Sequence, residues 1–297
     1  MSNIGLIIEE RPTIVGNFMV GRLLPFREKR MVGPFIFIDH MGPEQLSEAD
    51  NFDVPPHPHI GLSTLTYLFE GEIMHRDSLG TELVIKPGQV NWMTAGRGIV
   101  HSERTPQYLR DKPKSLHGLQ IWVALPKHLE EMAPSFHHAE GDDLPAWEET
   151  GLAFRLIAGD VMGRKSSVPV YSPLYLIEIK AIEDATVDIG SSLFGESALY
   201  ILEGSISSDG NRFGPKQILV ATDSTLCRFE MEKGTTVYLF GGEAFAEERH
   251  IYWNFVSSDK NRIEEAKERW LKQEFVRVPG ETEWVPLPEQ KPGFRVK

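Results

Sequence analysis

Three histidines and one glutamate in this 297-residue chain are spaced for metal binding. His57-Pro58-His59 and His101-Ser102-Glu103 each put two donor side chains two residues apart, inside sequence that reads as β-strand. In an extended strand, residues i and i+2 lie on one face, so each pair offers two donor atoms to one point. Pro58 reinforces this, because it pushes the preceding residue to extended backbone and cannot itself continue a helix. Three imidazoles and a carboxylate then converge on a single divalent ion. A mixed nitrogen and oxygen set suits Fe(II), Mn, Ni, Co, Zn or Cu, and affinity order does not choose among them. The lack of thiolate ligands argues against a structural zinc site. Four protein donors on an ion that prefers six leave one or two positions for water, dioxygen or a chelating substrate.

Glu103 has two readings. As a monodentate ligand it keeps one oxygen free to take the proton of an incoming enol or phenol hydroxyl, acting as ligand and base together. Alternatively it only balances charge and geometry. Neighbouring residues have plainer readings. Ala95-Gly96-Arg97-Gly98 reads as a tight turn rather than a phosphate cradle, since neither a helix pattern nor Lys-Ser/Thr follows. His75, Asp77 and Ser78 read as strand-end hydrogen bonders, with support of the ligands as the sharper alternative, and His40 beside Asp39 has the same status. His137-His138 reads as part of a solvated acidic loop.

Short apolar or alternating runs bounded by Gly and Pro must position these residues. Residues 34–38, 62–69, 83–85, 119–125, 174–179, 199–202 and 237–240 all read as strands, which makes the chain an all-β sandwich or barrel protein. Phe52, Met74, Trp92, Met93 and Trp122 are candidates for shaping a pocket, and the alternation of Leu119, Ile121 and Val123 with Gln120 and Trp122 leaves open which parity faces inward. The acidic stretch after Pro126 reads as a linker, with a short helix over 127–132. A helix capped by Ser258-Asp259 runs through Phe275, with Ile263, Ala266, Trp270 and Leu271 as an apolar stripe expected to pack on the second barrel. An extended tail follows from Gly280.

An internal repeat divides the chain. The segment from Tyr67 through Gly71 to Ile73 reappears from Tyr200 through Gly204 to Ile206, and Pro87 to Val90 is echoed by Pro215 to Ile218. Carried across, His57 and His59 fall on Gly190 and Ser192, while His101 and Glu103 fall near Phe229 and Met231. The second copy has lost every ligand, so one metal per chain is expected, in the N-terminal half.

These motifs resemble the pirin family of the cupin superfamily. The resemblance rests on His57-Pro58-His59 followed by Gly71, on the run from Met93 through Ala95-Gly96-Arg97-Gly98 to His101-Ser102-Glu103, on Asp39-His40, and on His75 to Gly80. It covers most of the chain, with a motif core from Pro55 to Pro106. Ordinary cupins carry a ligand glutamate four or five residues after the second histidine, where this chain has Ser63 and Thr64. Glu103 stands in for it, as in pirins. The resemblance implies a bicupin: an all-β protein of two cupin-type jelly-roll β-barrel domains with a short C-terminal helix. Its expected units are a metal-binding N-terminal domain over 1–130, a linker over 131–150, and a ligand-free domain over 151–297 that includes the helix and tail. It also implies iron, and a dioxygenase that opens the ring of a flavonol such as quercetin, or a similar enol or phenol, with O2. The alternative it implies is a non-catalytic iron-binding regulator that acts on a protein partner according to metal state.

Composition bounds these readings. With 41% hydrophobic and 25% charged residues the chain suits a globular protein. Its net charge of −12 argues against direct nucleic-acid binding, which relies on Lys and Arg neutralising phosphates. One cysteine, Cys227, excludes an internal disulfide, and with no basic leader and no apolar run of membrane-spanning length, a cytoplasmic protein is expected.

Overall fold

A computed structural model describes residues 3–289; residues 1–2 and 290–297, counted within the two expected domains and the tail, lie outside the described residues. Every pairing between its strands is antiparallel. The fold is all-β, as expected, with two jelly-roll barrels, each made of one large and one four-stranded sheet. In the first, the small sheet has the order Asp53–His59, Ile99–Arg104, Ile73–Asp77, Glu82–Ile85. In the second, Ala185–Asp188, Arg228–Met231, Ile206–Ser208 and Asn211–Phe213 repeat that order. The sequence repeat is therefore a repeat of topology.

The two large sheets face each other across a shared core. Leu65, Tyr67 and Trp92 from one side meet Leu176, Tyr200 and Phe240 from the other. Each such side chain contributes about 1.5–3 kcal/mol on full burial, and an apolar interface of this kind holds two units in fixed relation. It also resolves the open parity on the strand Lys114–Ala124. Leu119, Ile121 and Val123 enter the inter-barrel core, so Gln120 and Trp122 point into the first barrel.

The second barrel shows what its fold needs without a ligand. Phe229 and Met231 lie 5% and 2% exposed in its apolar interior, where the repeat placed them. The counterparts of His57 and His59 differ from the expected Gly190 and Ser192. His101 is opposite His57 in register, as Phe229 is opposite Val187. Ile99 is opposite His59, as Cys227 is beside Ile189. Val187 and Ile189 are thus the true counterparts, because turns of different length shift the offset between the copies.

The chain ends cross the expected borders. Strand Ile4–Glu9 pairs with Gln217–Ala221 in the second barrel. The expected linker holds strand Ser135–Ala139, which extends the first large sheet, and strand Ala146–Glu149, which begins the second. Edge strands with an outward polar face lack the alternation that marks a core strand, so these read as loop. His137 and His138 therefore sit on a strand rather than in a loop, with His138 Nδ1 2.7 Å from Asn91 Oδ1. The short helix expected over 127–132 is a single 3-10 turn, Lys127–Leu129.

The C-terminal helix spans Lys260–Leu271 and stops short of Phe275. Its cap is Asp259, whose side chain accepts the Asn261 N–H at 2.9 Å. Ile263, Ala266 and Trp270 are buried, but Leu271 is 62% exposed and lies off the stripe. The helix also packs on the first barrel instead of the second. Its apolar face meets Ile60 and Val100, the outward-facing neighbours of His59 and His101, together with Phe255 and Phe275. Those residues would otherwise leave the back of the small sheet as exposed apolar surface. Gly98, at φ +143, has no Cβ because the Phe275 ring would be 2.7 Å from it.

Candidate metal centre

His57 and His59 project inward from Asp53–His59, and His101 projects inward from the adjacent strand Ile99–Arg104. Strand alternation turns Pro58, Val100 and Ser102 the other way. One donor nitrogen from each histidine lies within 4.8 Å of the other two. His59 Nε2 and His101 Nε2 are 3.1 Å apart. Two neighbouring ligands bound to one ion at about 2.1 Å each stand about 3 Å apart, so this separation suits a shared metal. His57 Nδ1 donates to the Pro55 carbonyl at 2.9 Å, which leaves the lone pair on its Nε2. The Asn254 backbone carbonyl lies beside the His59 ring and favours its N–H, although His59 Nδ1 completes no hydrogen bond.

Burial sets the charge of this cluster. It draws the His57 pKa down to about 4 and those of His59 and His101 well below the usual imidazole range, with the neighbouring imidazoles adding to the effect. Three neutral imidazoles therefore present lone pairs to one point at neutral pH. That donor set fits a divalent transition metal.

Glu103 shares the cavity but not the tight cluster of the three histidines. The register shifts between His101 and Glu103, so that Glu103 stands opposite Val54. Its Oε1 lies 3.3 Å from the Thr66 hydroxyl, which is 2.9 Å from Gln120 Oε1. Burial raises the Glu103 pKa, against the opposing effects of His75 and Thr66. His75 makes the strand-end hydrogen bond expected of it, 3.1 Å from Asp77 Oδ2, and its ring stacks on Phe136. Ala95 and Gly98 close the tight turn before His101, with Gly98 N–H donating to Ala95 O at 2.9 Å. His40 faces His117 and Glu10 between the barrels, away from the cluster.

The three histidines and Glu103 open into a cavity of about 370 Å3, within the roughly 300–1,000 Å3 usual for small-molecule sites. Of the expected apolar and aromatic residues, Phe52 and Trp122 line it. Met74, Trp92 and Met93 do not, and Trp92 belongs to the inter-barrel core. Trp122 stacks on Phe37 at 3.9 Å between ring centres. The Arg22 guanidinium covers Phe37 and binds Asp39 through two hydrogen bonds of 2.9 and 2.8 Å. Sequence reading missed Arg22, and it missed Trp253, Asn254 and Val285, which reach this cavity from the far half of the chain. For these last three there was no signal, since nothing local ties a C-terminal turn to a site some 150 residues earlier. Arg22 lies two strands from Gln120 in the large sheet, a neighbourhood set by strand order and not by any local pattern.

The chain matches the Pirin family model over residues 17–123 and the Pirin C-terminal cupin domain model over residues 176–276. A pirin-like protein of Caulobacter vibrioides is 49% identical over 291 residues, which span 96% of this chain and 100% of the relative. The crystal structure of a quercetin 2,3-dioxygenase from Acinetobacter baumannii is 34% identical and superimposes with a TM-score of 0.88, covering 98% of this chain and 97% of the other. Bacterial pirin YhhW of Escherichia coli, solved with nickel(II), is 18% identical with a TM-score of 0.65 over 81% of this chain and 99% of its own, a likeness of fold. With both barrels matched and one relative matched along its whole length, the chain belongs to the pirin family of bicupins.

Proposed function

We propose that the chain is a metal-dependent dioxygenase that opens the ring of a flavonol or similar enol or phenol, such as quercetin, with O2. The observation that carries this is the convergence of three neutral buried imidazoles at an aromatic-walled cavity that also holds a carboxylate. The likeness to a quercetin 2,3-dioxygenase over nearly the whole chain supports the substrate class. His57, His59, His101 and Glu103 would hold one ion, with Fe(II) as the metal. When bound, it supplies Lewis acidity and redox chemistry towards dioxygen.

The chain's own residues supply the rest. Glu103 accepts the proton of the substrate hydroxyl on a carboxylate oxygen, and the Thr66 hydroxyl beside Oε1 holds that carboxylate in place. Phe37 and Trp122, stacked on each other, line one wall and exclude water from it. A cytoplasmic location goes with this reading, supported by the lone, buried Cys227. No helix among the described residues is long and apolar enough to cross a membrane.

The test is oxygen uptake and carbon monoxide release with quercetin, on protein purified without air and analysed for metal. Both should require about one metal per chain. Metal-loaded protein that consumes no oxygen with any of several flavonols overturns the proposal.

A further inference from the structure

Among the described residues, the cavity is built almost wholly from the first barrel, with Trp253, Asn254 and Val285 as the exceptions. Trp253 and Asn254 form the two-residue turn of a hairpin whose strands are His250–Tyr252 and Phe255–Ser257. Trp253 has φ +52. A left-handed residue at the first turn position is normally glycine, because a Cβ is disfavoured there. A tryptophan held in that conformation needs surroundings that enforce it, and such strain collects at functional sites.

The surroundings do enforce it. Phe255 makes a bridge with Ile60, the residue after His59, and Val256 N–H donates to the Ile60 carbonyl at 3.2 Å. Gly61, at φ +70, lets the hairpin approach so closely that a Cβ would lie 1.9 Å from the Val256 carbonyl oxygen. The Phe255 and Trp270 rings, at 5.6 and 6.3 Å, support the indole from behind. Trp253 is partly buried, and it lines the cavity. The backbone is strained, fastened beside a metal-ligand strand, and carries the largest aromatic side chain at the one position where glycine would relax it.

We propose that Trp253 is a specificity-determining wall of the metal cavity, lying against one face of a planar aromatic substrate. This rests on the dioxygenase reading for the class of substrate. Trp253→Gly removes the indole and relieves the backbone at the same position, and metal content in that variant is the readout that separates the wall from a packing role. The probe is quercetin, titrated by quenching of its own and the protein's fluorescence into Zn(II)-loaded protein, in which turnover is silent. Trp253→Gly should weaken binding about tenfold or more, a change of about 1.4 kcal/mol or more, while holding the same metal content. Trp253→Phe should stay within about threefold of wild type, because it keeps an aromatic face. In the iron enzyme the loss should fall on KM and leave kcat close to wild type.

Unchanged binding in a metal-replete Trp253→Gly protein overturns the proposal. If that variant does not fold, Trp253→Leu keeps an apolar side chain without the aromatic face, and quercetin binding equal to that of Trp253→Phe overturns it equally. Wild-type protein that binds quercetin through Trp253 yet consumes no oxygen sinks the dioxygenase reading and upholds this one. Oxygen uptake whose KM is indifferent to Trp253→Gly does the reverse.

Discussion

Replacing Glu281 by glutamine tests whether the C-terminal segment braces the ligand strands from outside. Its carboxylate accepts from the Ser102 hydroxyl at 2.9 Å and from Arg104 Nε and Nη2 at 3.0 and 2.7 Å. Ser102 and Arg104 alternate with His101 and Glu103 along one strand. Charge-assisted hydrogen bonds contribute about 1.5–3 kcal/mol when buried, and exposed ion pairs nearer 0–1 kcal/mol. Arg104 and Glu281 are 15% and 11% exposed, which places the cluster between these limits. Glutamine keeps one acceptor but loses the charge, so the expected cost is about 1–2 kcal/mol, or about 2–5 °C in Tm at constant metal loading. Hydrogen exchange should locate the change: the Val285 N–H, bonded to the Pro56 carbonyl at 2.9 Å, should lose protection with the segment.

The same variant predicts the pH dependence. Burial alone would raise the Glu281 pKa, but hydrogen bonds from Arg104 and Ser102, with the charge of Arg104, hold it below the usual glutamate range. As pH falls, the unfolded chain therefore takes up this proton first. The Glu281 contribution is complete above the unfolded value and disappears as pH drops through the lower folded value. Wild type and Glu281→Gln should differ at pH 7 and converge in acid. Equal Tm values at pH 7, a gap that widens in acid, or additivity with Arg104→Met in a double-mutant cycle would refute the bracing argument.

His101→Ala should reduce metal content from about one per chain to near zero by elemental analysis, because it removes the imidazole that faces His59. Glu103→Gln should retain metal through the three histidines and lose about 10²-fold or more in quercetin-dependent oxygen uptake; activity that survives removes Glu103 as the base. His57 has a folded pKa near 4, below its unfolded value, so its neutral form gives stability that is present above about 6.5 and lost as pH falls towards 4. The same pre-neutralised imidazole should keep metal bound at about pH 5.5, where an exposed histidine site competes with protons, and dialysis with metal analysis across that range checks it. Phe229→His, at the counterpart of His101, should bind no second metal and should cost about 2–4 kcal/mol in denaturant unfolding, because Val187 and Ile189 surround it with apolar contacts.

The histidine cluster was legible because strand spacing is a local property. His57, His59 and His101 are identified by alternation alone, and the fold had only to bring two adjacent strands into register. The repeat was legible for the same reason, since Tyr200 to Ile206 preserves a strand and turn seen earlier. The mapping of His57 to Gly190 failed because register depends on turn lengths between the copies, and a sequence offset cannot register a changing gap. Helix placement failed differently. Ile263, Ala266 and Trp270 declare an apolar face but not what it covers, and proximity in sequence suggested the second barrel.

The cover proved to be the back of the ligand sheet, which gives that sheet two sides with separate demands. Inward residues of Ile99–Arg104 supply His101 and Glu103, while Val100, Ser102 and Arg104 face outward to the helix and the following segment. A metal site needs its donors held within a fraction of an ångström, and a small four-stranded sheet is weakly constrained at its outer face. Residues distant in sequence therefore enter the site in two ways: Ile263, Trp270 and Glu281 from behind, and Trp253 from within the cavity. Losing the rear brace should disturb metal affinity first, whereas losing the front wall should disturb substrate affinity at constant metal content. Comparing Glu281→Gln with Trp253→Gly in the same metal and quercetin titrations separates these roles. A shared loss of both affinities in both variants would mean that the C-terminal segment acts as one unit, and that the division between the two faces of the ligand sheet is wrong.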